Sequence, residues 1–406
     1  MNLNDTPRAD RLHIGLFGRR NSGKSSLINR LTGQEIALVS DTPGTTADPV
    51  FKSMELHPVG PVVFIDTAGY DDEGELGLLR VGKTRDVIDV TDIGIIVVDG
   101  QEISDRDFDM EKEWIGRLKE KNIPIIMAVN KIDMGAPVCG GTFDEAEFKD
   151  IPQITVSAVT GEGIAELRTL ISEAVPEDYM RRRILGELVT EESLVVLVMP
   201  QDIQAPKGRL ILPQVQTIRE LLDRKCTAVA TSADVFARTL NNLKRDPDLI
   251  ITDSQCFRQV YEIKPEKSLL TSFSVLFAAY KGDVGKFMEG AGYISELGKD
   301  SRVLIAEACT HVPLGEDIGR VKIPRMLRQK AGEGIEIVNV CGNDFPDVEE
   351  LRSFDLIIHC GACMFNRAHV MSRIAAAEAA GTPITNYGIA IAEVTGILDK
   401  IEVTDK

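Results

Sequence analysis

A three-domain α/β protein is the fold this sequence predicts, and three observations carry the prediction. Strand-like apolar runs alternate with stretches of helical periodicity along most of the chain. Many of those runs are continuously apolar, the mark of parallel strands covered on both faces. At 406 residues the chain exceeds one ordinary core, and its pattern shifts near residues 177 and 263. The predicted domains are therefore 11–176, 177–262 and 263–406.

In the first, "HIGLFG", "VVFIDT", "IGIIVVD", "PIIMAVN" and "QITVSA" read as strands. The amphipathic "GIAELRTLISEAV" closes that domain as a helix. In the second, strands "SLVVLVMP", "TAVATS" and "LIITDS" alternate with the helical "VQTIRELLDRK" and "VFARTLNNLKR". Nothing there carries chemistry, so a structural or oligomerisation role is expected. The third opens with two predicted helices, "SLLTSFSVLFAAYKG" and "DVGKFMEGAGYISELG". Strands "RVLIAEA", "IEIVNV", "DLIIH" and "PITNYG" follow, with helices such as "HVMSRIAAAEAAG" between them.

Composition narrows the partners. A net charge of −17 argues against nucleic acid as the main partner, because such binders need a basic footprint. No apolar run reaches the roughly 18 residues of a membrane span. The polar N-terminus "MNLNDTPRADR", which carries two aspartates, lacks the pattern of a secretory or transit signal. A cytoplasmic location without membrane contact is expected. Seven cysteines, an odd number scattered over a long chain, do not form a disulfide framework. Cys139, Cys226 and Cys256 read as isolated small hydrophobes. Cys309, Cys341, Cys360 and Cys363 gather in the last hundred residues with His311, His359 and His369, which points to a metal.

"GRRNSGKS" at 18–25 fits G-x-x-x-x-G-K-[ST], after a strand and before a helix. Gly18, Asn21, Ser22, Gly23, Lys24, Ser25 and Ser26 would line the phosphates. Lys24 would reach the β- and γ-oxygens, and the Ser25 hydroxyl would bind Mg²⁺. "DTAG" at 66–69 puts Asp66 near the magnesium and the Gly69 N–H near the γ-phosphate. "TPGTT" offers Thr45 and Thr46 as the γ-phosphate-sensing switch, Thr46 also as a magnesium ligand. Asn130, Lys131 and Asp133 of "NKID", with Ser157 and Ala158 of "SAV", form the guanine pocket. There Asp133 can accept N1–H and 2-amino hydrogens that adenine does not present in that pair. Lys24, Thr46 and Gly69 are the expected catalytic groups. Five ordered elements in one α/β domain identify a guanine-nucleotide switch.

"GRRNSGKSSLINRL" resembles the signature of GTPases of the Era, EngA and MnmE type. That resemblance implies a slow, K⁺-activated GTPase in which Asn21 helps bind the cation. Tyr70 follows "DTAG", where Ras-like enzymes place a water-orienting glutamine, and a monovalent cation can replace an arginine finger electrostatically.

Two predicted strands of the third domain end just before Cys309 and Cys360, and sites form at the carboxyl ends of strands in such sheets. "ACTHV" at 308–312 and "HCGAC" at 359–363 can therefore converge. Cys309, Cys360 and Cys363 suit a [4Fe–4S] cluster with one open iron, or a zinc site completed by His311 or His359. A thioredoxin-like pair would leave Cys309 unexplained. Spacing alone leaves cluster and zinc open.

A GTPase followed by C-T-H and then, with 47 residues between the two histidines, by H-C-x-x-C looks like the HydF family of [FeFe]-hydrogenase maturation GTPases. The resemblance spans the full length. It implies an N-terminal P-loop GTPase, a small central α/β dimerisation domain and a C-terminal Rossmann-like iron–sulfur domain. The [4Fe–4S] cluster would be held by Cys309, Cys360 and Cys363, with His311 and His359 as fourth ligand or hydrogen-bonding neighbours. Ala362 stands where the family often has glycine. Further implications are GTP/GDP, Mg²⁺ and K⁺, and a homodimer that receives a diiron precursor made with the radical-SAM maturases HydE and HydG. Delivery would be to apo-[FeFe]-hydrogenase. The competing reading is a ribosome- or tRNA-biogenesis GTPase with a structural zinc site, which would bind RNA with steep salt dependence.

Overall fold

The computed structural model describes residues 7–33, 49–67, 86–101, 107–135, 148–200, 210–308 and 317–404. The chain forms two compact units, Met1–Arg181 and Arg182–Lys406.

The first unit is built on a six-stranded sheet. Its strands are β1 (Leu12–Phe17), β2 (Val50–Leu56), β3 (Gly60–Asp66), β4 (Ile93–Asp99), β5 (Ile125–Asn130) and β6 (Gln153–Thr155), in the order β2-β3-β1-β4-β5-β6. All neighbours are parallel except β2 and β3. The continuously apolar β1, β4 and β5 are buried along their whole length, as covered parallel strands must be. β2 is the one strand of this sheet the apolar runs do not announce. "VFKSMEL" is half-exposed at the sheet edge, so burial leaves little imprint on it. Helices α1 (Lys24–Thr32), α2 (Asp109–Glu120) and α3 (Ile164–Glu173) have their apolar stripes buried. One core holds Leu27, Ile28 and Leu31 of α1 with Ile164, Leu167 and Ile171 of α3. A second holds Trp114, Ile115 and Leu118 of α2 with Phe17, Ile65 and Ile96.

The second unit contains two four-stranded parallel sheets. The first is ordered β10-β9-β7-β8, from β7 (Leu194–Val198), β8 (Thr227–Thr231), β9 (Leu249–Thr252) and β10 (Leu269–Ser272). The second is ordered β12-β11-β13-β14, from β11 (Arg302–Glu307), β12 (Glu336–Cys341), β13 (Leu356–His359) and β14 (Ile384–Asn386). Helix α4 (Leu212–Asp223) packs near β8, and α5 (Phe273–Lys281) follows β10 directly.

"SLLTSFSVLFAAYKG", read from sequence as helix throughout, begins as strand β10 instead. Ser272 ends the strand and caps α5, its hydroxyl accepting the Val275 N–H at 3.3 Å. β10 thus carries the first sheet of this unit past residue 262, where the sequence reading ended the middle domain. One buried core runs through both sheets, joining Val196, Ile250, Leu270 and Val275 to Phe287, Ile305, Ile357 and Ile389.

Candidate functional site

The described nucleotide motifs lie at the carboxyl edge of the first sheet, at the ends of β1, β3, β5 and β6. Between β1 and α1 the backbone turns sharply. Asn21 adopts a left-handed conformation with φ of 60°, and Gly23 has φ of 90°. A side chain at Gly23 would strike the Asn130 amide, so conformation and contact both demand glycine there. Asn130 is buried and joins two motifs. Its Nδ2 donates to the Ser22 carbonyl at 3.0 Å, and its Oδ1 accepts the Ala158 N–H at 3.1 Å. The phosphate loop and the guanine pocket are therefore pinned through one side chain.

Around that hinge the other residues fall into place. Lys24 Nζ donates to the Gly18 and Arg19 carbonyls at 2.7 and 2.8 Å, bracing the loop from within. Ser25 Oγ donates to Asp66 Oδ2 at 2.5 Å, bringing the two proposed magnesium groups together. Burial raises the Asp66 pKa, while the Ser25 bond and the charges of Lys24 and Lys52 oppose the shift. Magnesium would act in the same direction as those cations and favour the carboxylate. Lys131 Nζ pairs with Asp99 Oδ2 at 2.6 Å, and Ser157 Oγ donates to Asp133 Oδ1 at 2.6 Å. Ser26 is exposed on α1. Thr45, Thr46 and Gly69 lie outside the described residues, as do Cys139, Cys309 and His311.

The cysteine motif lies at the carboxyl edge of the β11–β14 sheet. β13 ends at His359, in register with Ala306 of β11 and Asn386 of β14. The Cys360 N–H extends the ladder to the Ala306 carbonyl at 2.9 Å. Cys360 Sγ accepts the Ala308 N–H at 3.0 Å and the Ala362 N–H at 3.4 Å. Ala308 directly precedes Cys309 in the sequence. Burial pushes the Cys360 thiol up to about 11, with the Cys363 sulfur adding to the rise, while those two N–H groups and Arg373 act against it.

His359 is buried with both ring nitrogens engaged. Nε2 faces Arg373 Nη1 at 3.1 Å and Nδ1 faces the Cys360 carbonyl at 2.8 Å. A guanidinium only donates, so Nε2 accepts and the proton sits on Nδ1, where it donates to that carbonyl. Burial and the neighbouring Arg373 charge hold the imidazole neutral, its pKa lowered to about 3. Thus engaged, the ring steadies the Cys360 backbone. Arg373 itself is buried between the rings of Phe345 and Phe365, at 4.7 and 4.6 Å, and also donates to the Gly342 carbonyl. His369 stacks on Phe365 at 3.9 Å between centroids.

The donor chemistry fits an anionic metal group. Two backbone N–H groups already point at a cysteine sulfur, the arrangement that stabilises and tunes cluster thiolates. Sequence reasoning did not single out Arg373, which sits in a predicted helix outside the cysteine and histidine motifs.

Ala362 has φ of 52°, the left-handed region that favours glycine. Ala362→Gly is expected to leave iron uptake unchanged. The β-branched Ala362→Val should cost about 1–3 kcal/mol of turn stability, measured by thermal denaturation, and lower iron uptake. Equal iron in both variants would show that the turn tolerates any backbone strain.

Comparison with known proteins places this geometry. Residues 13–131 match the family model described as 50S ribosome-binding GTPase. Residues 184–282 match the hydrogen maturase F dimerization domain, and 285–402 the hydrogen maturase F tetramerization domain. The chain is similar to the tRNA modification GTPase MnmE of Koribacter versatilis, 34% identical over 235 residues that make up 55% of this chain and 49% of that protein. It is also similar to the GTPase Der of Hyphomonas neptunium, 36% identical over 174 residues, 42% of this chain and 33% of that one. The chain thus spans about half the length of the first relative and a third of the second. Among solved structures, Aquifex aeolicus Era bound to GDP·AlF4⁻ matches at 18% identity with a TM-score of 0.34, over 63% of this chain and 99% of Era.

Proposed function

The chain belongs to the HydF family, since hydrogen maturase F dimerization and tetramerization domains follow its GTPase domain in tandem, and from that premise we propose that it is a GTP-hydrolysing scaffold for [FeFe]-hydrogenase maturation. It binds a [4Fe–4S] cluster through Cys309, Cys360 and Cys363. It carries a diiron precursor, received with the help of HydE and HydG, to apo-hydrogenase. The observation that carries the reading is the Cys360 turn at a strand end, its sulfur accepting the N–H of the residue that precedes Cys309. When bound, the cluster supplies an iron with an open position at which the precursor can dock. His359 supports the turn and is not a ligand. GTP hydrolysis acts as a switch and not as the synthetic step. The outer position of β8 in its sheet, with Val215 and Leu222 exposed on neighbouring α4, supports pairing with a second copy.

Anaerobic reconstitution followed by iron and sulfide analysis and EPR tests the proposal. One [4Fe–4S] per chain is expected; stoichiometric zinc without sulfide would overturn it and favour the RNA-biogenesis alternative.

Potassium activation is part of the same reading and is supported by Asn21, held left-handed in the phosphate loop. Exchanging KCl for NaCl at constant ionic strength should lower GTP turnover by about 10-fold or more. Equal rates in the two salts would remove the cation from the mechanism.

A further inference from the structure

Lys281, the last residue of α5, is buried at 2% exposure in a region where an ammonium group is costly. Its Nζ donates to the Phe365 carbonyl at 2.9 Å and to the Ala362 carbonyl at 3.4 Å. Those two carbonyls bracket Cys363. Arg367, just beyond the turn, donates back to the carbonyl of Gly282, the residue after Lys281. The helix end and the cysteine turn thus hold each other by charge-assisted hydrogen bonds in opposite directions, two from Lys281 and one from Arg367. α5 is continuous with β10, so this clasp runs directly from the β7–β10 sheet to the Cys360–Cys363 turn.

We propose that Lys281 is a positioning residue for the cluster: it fixes the Cys363 side of the turn and places a positive charge beside the anionic group that the turn holds. The inference rests on the iron–sulfur reading above. Two consequences follow from the two roles. Without the clasp, Cys363 is free to leave iron more often, so the cluster is lost faster. Without the charge, the reduced and more negative cluster loses more stabilisation than the oxidised one, so reduction becomes harder.

The test uses the full chain, reconstituted anaerobically, as wild type, Lys281→Met and Lys281→Gln. Iron release to a chelator and the cluster midpoint potential by EPR-monitored titration are measured, with circular dichroism and the thermal melting of the chain as folding controls. Lys281→Met is expected to release iron about 10-fold faster, the equivalent of one strong hydrogen bond lost, and to move the potential to more negative values. Lys281→Gln keeps a donor but no charge. It should release iron at an intermediate rate while showing the same direction of potential shift, and it decides the matter if the methionine variant misfolds. Wild-type release and potential in the glutamine variant would overturn the proposal. A wild-type chain that takes up no iron and sulfide would instead sink the iron–sulfur reading, and this inference with it.

Discussion

Lys24→Ala should lower GTP turnover by about 10³-fold while leaving the iron content of the reconstituted chain unchanged. Lys24 is the cation where the loop enters α1, and its ammonium rests on the Gly18 and Arg19 carbonyls. With nucleotide present the same group would turn to the phosphate oxygens, where negative charge grows during transfer. Alanine removes that stabilisation and the internal brace of the loop together, so guanine-nucleotide affinity should fall as well. The cysteine turn lies in the other compact unit and draws its hydrogen bonds from residues of that unit. Single-turnover hydrolysis and iron analysis on the same preparation check the prediction. Iron lost along with turnover would show that nucleotide and cluster sites do not behave as separate modules.

Cys360→Ala is expected to have the largest effect at the other end, reducing iron from about four per chain to less than about one. Cys360 is the cysteine whose sulfur the fold has prepared, with N–H donors from Ala308 and Ala362 and a main chain fixed to Ala306. Its thiol, raised to about 11 by burial, is protonated at neutral pH in the absence of metal. On the proposed function cluster binding would release a proton there, and uptake should accelerate as pH rises toward that value. Cys360→Ser keeps the shape but offers a harder oxygen, and should retain only a labile fraction of the iron. Iron and sulfide analysis after desalting measures both variants. Full iron retention in Cys360→Ala would take this residue out of the ligand set.

What was legible in the sequence is what each stretch needs locally. Strands such as Ile93–Asp99 and Leu194–Val198 are covered on both faces, so their burial is written as unbroken apolar runs. Val50–Leu56 lies half-exposed at an edge and carries no such record. Leu269–Ser272 runs into α5 without glycine or proline, so its apolar residues merged with the helix pattern. The Ser272 cap was the available signal. The phosphate loop and the guanine motifs were readable because one nucleotide is gripped by short contiguous segments. Arg373 and Lys281 were not, because their roles come from residues brought near by folding: Phe345, Phe365 and the carbonyls around Cys363. Likewise the hydrogen bond that sets the His359 tautomer comes from Arg373, fourteen residues further on.

The core that both sheets of the second unit share is expected to couple their melting. Val196 and Ile250 cannot be solvated while Ile305 and Ile357 stay packed without opening a common interior. A destabilised oligomerisation surface and a destabilised cysteine turn are then the same thermodynamic injury. On the proposed function, whatever tightens one sheet, pairing with a second copy of the chain included, should also steady the cysteine turn on the other.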